Sequence, residues 1–269
     1  MIKLLNQTKR AFKIFGAAFC IIVPGTFSVI FQLLPFPKQW KKRFAQWATH
    51  IGVLMILVVL NIKVKIVDHR SRSLEKKDLN HKGVLLVSNH LSYLDVLVIS
   101  KAFKAMYITS NEVAESKIEG TICKAYGCLF IERRNRSKIN QEIDSVAREL
   151  ELGHHAVLFA EATSTNGESV MPFKMSFFES AIRAETQVQP LVVQYQLLNG
   201  EPITKENRDT ICYYGTMEFL SHFKKVLDQN EITVNLHVLP LIEANPGEDR
   251  SKIRDRAYES IASVYEPIY

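Results

Sequence analysis

The stretch GVLLVSNHLSYLDVLVIS, Gly83–Ser100, decides how the rest of the chain is read. Its first seven residues, GVLLVSN, are apolar without alternation up to the final Ser-Asn, as expected of a strand covered on both faces. A helix is predicted to follow, starting near Ser92 and running over Leu94–Lys104. A buried strand passing directly into a helix is the building unit of α/β sheets. Two ionisable side chains, His90 and Asp95, stand at this junction. Ser92 and Asp95 have the spacing of a helix-capping pair, which is one reading of the carboxylate. In the other reading His90 lies at the carboxyl end of a strand, where open α/β sheets place their functional groups. A carboxylate one turn into the next helix would then fix the imidazole tautomer and favour the cation formed when the ring takes a proton. For His90 the plain alternative is a buried histidine satisfied by backbone.

Outward from this junction, strand and helix alternate. NIKVKIVD (Asn61–Asp68) sets Ile62, Val64 and Ile66 against Lys63 and Lys65, the pattern of a half-buried strand. HAVLFAE (His155–Glu161) is a second continuous apolar run, and QPLVVQYQ (Gln189–Gln196) and ITVNLHVLP (Ile232–Pro240) add further strands. Helices are predicted over Ile139–Leu152, Phe177–Ala184 and Met217–Leu227. The expected fold is α/β, a central mostly parallel sheet flanked by helices, with an N-terminal membrane-associated helical hairpin. The domain division is 1–60 for the hairpin and 61–269 for the α/β domain.

The hairpin is read from two apolar runs. Ile14–Leu34 carries no charged residue, and Phe44–Leu60 follows the basic hinge PFPKQWKKR. A helix spanning a bilayer needs about 20 apolar residues, and Pro24-Gly25 is expected to cut the first run into halves too short to span. Lys3, Lys9, Arg10 and Lys13 precede that run, and Lys38, Lys41, Lys42 and Arg43 follow it. A single span would show asymmetric positive charge; basic residues at both ends suit a hairpin entered from one side and held at anionic headgroups. A secretory signal peptide would need a small-x-small cleavage site after the apolar region, and none stands at the usual place.

The 269 residues carry 34 Lys+Arg against 28 Asp+Glu, a net charge of +6. That sign suits an anionic partner. Zinc-finger spacing, RNA-recognition aromatics and basic-zipper heptads are absent from the sequence, so a lipid surface is favoured over nucleic acid. Cys20, Cys123, Cys128 and Cys212 make no disulfide framework and are read as reduced thiols facing the cytosol, with no metal-ligand spacing around them.

Four blocks, in order, resemble the glycerolphosphate acyltransferases of the 1-acylglycerol-3-phosphate (lysophosphatidic acid) acyltransferase type. Asn89, His90, Ser92 and Asp95 match the family's Asn-His-x-Ser-x-x-Asp. GCLFIERRNR matches its second block, with Arg133 and Arg136 at the two arginines. FAEATST agrees with Phe-Pro-Glu-Gly-Thr-Arg-Ser at Phe159, Glu161 and Thr163, while Ala160, Ala162 and Ser164 replace proline, glycine and arginine. MPFK (Met171–Lys174) follows, and VQPLVV resembles the fourth block through Pro190.

The resemblance implies a membrane-bound O-acyltransferase of lipid biosynthesis, moving a fatty acyl group from acyl-CoA or acyl carrier protein to a lysolipid hydroxyl. No metal or redox cofactor is implied. It makes His90 the general base and Asp95 its orienter. Arg133 becomes the headgroup anchor, and Glu161, Thr163, Ser92 and Arg136 belong to the acceptor site. The lost third-block arginine at Ser164 implies weaker hold on a phosphomonoester, because a bidentate charged pair is among the stronger contacts available; a lysophospholipid or an aminolipid is then an expected acceptor, as well as or instead of lysophosphatidic acid. Plainer readings remain for several of these residues. Arg133–Arg136 could be a solvated basic loop, Glu161 a surface carboxylate, and Thr163 and Ser164 the caps of a turn. A non-enzymatic membrane-binding protein would explain the hairpin but not His90 and Asp95, and a hydrolase or phospholipid-dependent transacylase would share the base. The expected place is the cytoplasmic face of a membrane.

Overall fold

The computed structural model describes residues 2–70, 82–117, 119–125, 127–132 and 137–269. Two long helices come first, α1 (Ile2–Leu33) and α2 (Lys38–Leu60), and they pack against each other. The α/β part follows with β1 (Ile62–Asp68), β2 (Leu85–Ser88), α3 (Leu94–Ala102) and β3 (Ala105–Ser110). Next come α4 (Asn111–Glu115), α5 (Glu119–Ala125), β4 (Leu129–Ile131), α6 (Ile139–Glu151) and β5 (His155–Phe159). The chain continues through α7 (Glu179–Arg183), β6 (Gln187–Leu198), β7 (Glu201–Pro202) and α8 (Phe219–Asp228). It closes with β8 (Ile232–Val238), β9 (Ile242–Glu243) and α9 (Arg250–Ala262).

The sheet order is β1-β8-β6-β2-β5-β3-β4, with β7 and β9 paired to β6. From β6 to β4 every neighbouring pair is parallel; β8 runs antiparallel to β6, and β1 parallel to β8. The α/β expectation therefore holds, with a sheet that is mostly parallel. The unalternating runs lie at its centre: Leu85, Leu86, Val87, Ala156 and Val157 are inaccessible to solvent. The amphipathic α6 covers the sheet with Ile143, Val146, Ala147 and Leu150. β8 alternates buried and half-buried residues, as its sequence predicts.

Three expectations need correction. The proline does not divide the first apolar run: α1 is continuous through Pro24. An internal proline removes one backbone hydrogen bond, but the long apolar helix on both sides of it persists. Arg10–Leu33 and Arg43–Leu60 are each long and apolar enough to cross a membrane, at 24 and 18 residues. The length argument against spanning is thereby removed. The alternation of β1 also holds only at its start: Ile62 is buried, yet Ile66 is 45% exposed, because among the described residues β1 has a neighbour, β8, on one side only. Finally, the helix start near Ser92 gives way to the first residue of the predicted range: α3 begins at Leu94, leaving Asn89–Tyr93 as a turn.

The two N-terminal helices are tied to the α/β part. Arg10 pairs with Asp228 at 2.9 Å and Lys13 Nζ donates to the Gln229 carbonyl at 2.5 Å, both at the end of α8. At the far end of the hairpin, Lys41 Nζ donates to the Gln32 carbonyl in the last turn of α1, where unpaired carbonyls and the helix dipole favour a cation. Elsewhere the helices expose large apolar side chains: Phe12, Phe15, Phe19, Ile22, Phe27, Leu33 and Val58 all face outward. A continuous apolar surface of this kind marks contact with something other than water.

Candidate active site

The site gathers at the carboxyl ends of β2 and β5, which are adjacent and parallel. β2 ends at Ser88, and Asn89 then fastens the turn to β6. Its side-chain oxygen accepts from Val193 N at 2.8 Å and its amide donates to the Val193 carbonyl at 3.0 Å. The side chain thus satisfies both polar groups of a β6 residue, as a paired strand residue would. Held in this way, the turn presents His90.

Asp95 is fully buried, yet four donors reach it. Its Oδ2 accepts from His90 Nδ1 at 2.9 Å, Leu91 N at 2.7 Å and Ser92 N at 2.9 Å. Its Oδ1 accepts from the Tyr195 hydroxyl of β6 at 2.8 Å. The two readings of Asp95 are therefore not alternatives. The carboxylate reaches back to Ser92 N, as the acid of a capping pair does, and the same oxygen holds the imidazole. With Nδ1 facing a carboxylate, the proton of neutral His90 sits on Nδ1, and Nε2 keeps its lone pair. The ring stacks on Phe159 at 3.9 Å between centroids, with planes 14° apart, which fixes its plane. Its side chain is 20% exposed, so the site is open to a substrate from one side.

Glu161, two residues beyond β5, is 4% exposed and turned inward. Oε1 accepts from His90 N at 2.8 Å and Oε2 from Met171 N at 2.9 Å. Burial pushes its carboxyl up to about 7, against the lowering effect of the two N–H donors. The surface-carboxylate reading of Glu161 is thus excluded by its place. Thr165 completes the clasp, its N–H donating to the His90 carbonyl at 2.9 Å. Between them, Ala162 adopts φ +62°, the left-handed region that suits glycine, which is what the third-block pattern has there.

The remaining predicted residues are placed less centrally. Ser92 is fully buried and its hydroxyl meets Leu94 N at 3.4 Å, so it braces the turn. Thr163 is exposed, its hydroxyl donating to the Ser164 carbonyl at 3.3 Å. Arg133 and Arg136 lie outside the described residues.

Sequence reasoning missed Tyr195 and the aromatic group around Tyr93. Tyr93, in the turn itself, meets Tyr213, Phe219, His222 and Phe223 edge-on, and its hydroxyl lies 3.1 Å from His222 Nδ1. Tyr213 N donates to the Leu91 carbonyl at 2.8 Å, so the segment before α8 is fastened over the turn. A hydroxyl within the apolar strand QPLVVQYQ was the available sign of Tyr195; the aromatic group comes from three separate segments and leaves none.

A histidine held by a buried carboxylate on the strand ends of an α/β sheet, in a chain without a Gly-x-Ser-x-Gly elbow, defines a class of site. Such a site holds an imidazole in one tautomer, with its second ring nitrogen free to act as a base. Comparison with known proteins gives that class its chemistry. A family described as Acyltransferase matches residues 63–194. The chain is 28% identical over 225 residues to the lyso-ornithine lipid O-acyltransferase of Brucella abortus, covering 80% of this chain and 82% of that one. It is 26% identical over 182 residues to the 1-acyl-sn-glycerol-3-phosphate acyltransferase of Neisseria gonorrhoeae, covering 68% and 69%. Its fold matches the crystal structure of the 1-acyl-sn-glycerophosphate (LPA) acyltransferase PlsC from Thermotoga maritima, with a TM-score of 0.66 over 98% of this chain and 95% of that one, at 15% identity. Over residues 63–194 the chain matches this acyltransferase family, its relatives include a 1-acyl-sn-glycerol-3-phosphate acyltransferase, and it is an acyltransferase.

Proposed function

We propose that this protein moves a fatty acyl group from an acyl thioester, acyl-CoA or acyl carrier protein, to the hydroxyl of a lysolipid at the cytoplasmic face of a membrane. The observation that carries the reading is the His90–Asp95 pair, with Nδ1 committed to the carboxylate and Nε2 left as the base. The acceptor hydroxyl gives its proton to Nε2 as its oxygen attacks the thioester carbonyl. Asp95 stabilises the imidazolium that forms. The tetrahedral adduct then collapses, the C–S bond breaks, and the departing thiolate takes the proton back from His90. General-base help of this kind contributes about 10²–10⁴-fold. No metal or redox cofactor takes part in this route.

Glu161 acts through the His90 and Met171 amides, shaping the acceptor side of the site together with Thr163. Arg133, aided by Arg136, anchors the headgroup. Relatives named for lyso-ornithine lipid and for 1-acyl-sn-glycerol-3-phosphate bracket the acceptor class, and Ser164, in place of an arginine, favours acceptors without a phosphomonoester. Residues 1–60 act as the membrane unit and 61–269 as the catalytic unit; the outward apolar side chains of α1 and α2 and the basic residues at both ends of the hairpin support membrane association. The test is reconstitution of the full chain in vesicles with a labelled acyl thioester and a panel of lysolipids. Formation of the diacyl product is expected; release of free fatty acid alone would make the protein a hydrolase.

A further inference from the structure

Away from His90, one pair of reactive groups is brought together by backbone geometry. α5 ends in a turn in which Gly127 N donates to the Lys124 carbonyl at 3.2 Å and Cys128 N donates to the Cys123 carbonyl at 3.0 Å. Gly127 has φ +68°. This pair of bonds around a left-handed glycine is the Schellman ending of a helix, which sets the two residues carrying the outer bond side by side. In most proteins that contact is apolar; here both residues are free cysteines. Both are half-buried, whereas the other two cysteines, Cys20 and Cys212, are buried.

We infer that Cys123 and Cys128 are a modification site, closing reversibly to a disulfide that resets acceptor binding; this rests on the acyl-transfer reading. Hydrogen bonding from Cys128 lowers the Cys123 thiol and raises that of Cys128, which makes Cys123 the first nucleophile. With hydrogen peroxide as oxidant, the Cys123 thiolate attacks one peroxide oxygen, the O–O bond breaks, and the released hydroxide takes a proton to leave as water. Cys128 sulfur then attacks the resulting sulfenic acid. The S–O bond breaks, a second water leaves, and the Cys128 proton goes with it. The two sulfurs lose two electrons and the peroxide gains them. A dithiol reverses the step.

The consequence follows from what Cys128 begins. It stands directly before β4, a strand of three residues that among the described residues pairs only with β3, and Arg133 follows two positions after β4 in the sequence. Drawing the two sulfurs to the roughly 2.05 Å of a disulfide moves the start of that strand. The base is better insulated, since His90 is fixed by Asp95, Glu161 and Phe159 on central elements. The disulfide therefore acts on KM for the lysolipid more than on kcat.

The full chain in vesicles is treated with hydrogen peroxide, mapped by peptide mass spectrometry, and assayed before and after dithiothreitol. A Cys123–Cys128 link, 2 Da lighter and reversed by dithiothreitol, is expected, with KM for the lysolipid raised several-fold and neither change in Cys123→Ser. Oxidation that stops at sulfinic acid, or links only separate molecules, overturns the site; an intramolecular link with KM unchanged overturns the coupling. The mass readout does not depend on acyl transfer, so a failure of the proposed activity is seen separately.

Discussion

Tyr195 and Asp95, a hundred positions apart, meet at 2.8 Å, the hydroxyl donating to the carboxylate oxygen that faces away from His90. Asp95 is thereby held at both oxygens, and its Oδ2 has a single orientation in which to receive the imidazole. Tyr195→Phe removes the donor to Oδ1 in a fully buried place. An unsatisfied buried acceptor costs about 1–3 kcal/mol, so thermal unfolding should shift downward accordingly. Because a loosened Asp95 holds His90 less well, kcat should also fall while KM for the acceptor stays put. A loss confined to stability would make Tyr195 a packing residue.

Asp95→Asn separates holding the turn from supporting the base. An amide oxygen can still accept from Leu91 N, Ser92 N and His90 Nδ1, while its NH₂ group faces the Tyr195 hydroxyl, which can accept. Asn is also about as good a capping residue as Asp. Stability should therefore stay within about 1 kcal/mol, and acyl transfer should fall by about 10²-fold or more, since no charge remains to stabilise the imidazolium. An Asn variant with full activity would reduce Asp95 to the turn-holding role alone.

Glu161 gives the stability a pH dependence with a definite sign. Its carboxyl is raised from 4.5 to about 7 by burial, so between those values the folded protein holds the proton that the unfolded chain has released. Stability from this group is full below about 4.5 and is lost as pH rises toward 7, by an amount on the order of 3 kcal/mol at 1.36 kcal/mol per unit. Denaturant unfolding of wild type and Glu161→Gln across pH 4.5–7.5 reads the difference. The Gln variant is weaker throughout, having one acceptor for two N–H donors, but its curve should lack the wild-type decline. Parallel curves would contradict the assignment.

Ser164 is next to Thr165, whose N–H holds the His90 carbonyl, so an arginine placed there reaches the neighbourhood of the base. A charge-assisted contact in a desolvated site is worth about 1.5–3 kcal/mol, or roughly ten- to hundredfold in affinity. Ser164→Arg should therefore raise kcat/KM for lysophosphatidic acid relative to a lysolipid without a phosphomonoester. An unchanged ratio would place Ser164 outside the headgroup site.

Much of this was legible because the central strands announce themselves. GVLLVSN and HAVLFAE lie where both faces are covered, so burial and sequence agree. β3 and β4 were not predicted: LFI is three residues long, too short for any period to show. α9 was missed although its signals were present, with Asp249 accepting from Ser251 N at 2.8 Å and Ile253, Ala257 and Ile261 forming a buried stripe. Its many charges masked that stripe. Pro24 misled because a proline weakens one turn of a helix without ending a long apolar one. At the site, His90 and Asp95 came from the strand–helix junction and Glu161 from block order, whereas Tyr195 depends on β6 lying beside β2, a pairing across a hundred residues that no local pattern encodes.

In the proposed route, His90 Nε2 takes the proton of the acceptor hydroxyl. Single-turnover acyl transfer from an acyl thioester to a lysolipid, in wild type and in His90→Ala with folding checked by thermal unfolding, tests it most directly. A folded variant whose transfer step is slower by about 10²–10⁴-fold is expected. A folded His90→Ala protein that transfers the acyl group at close to the wild-type rate would contradict it.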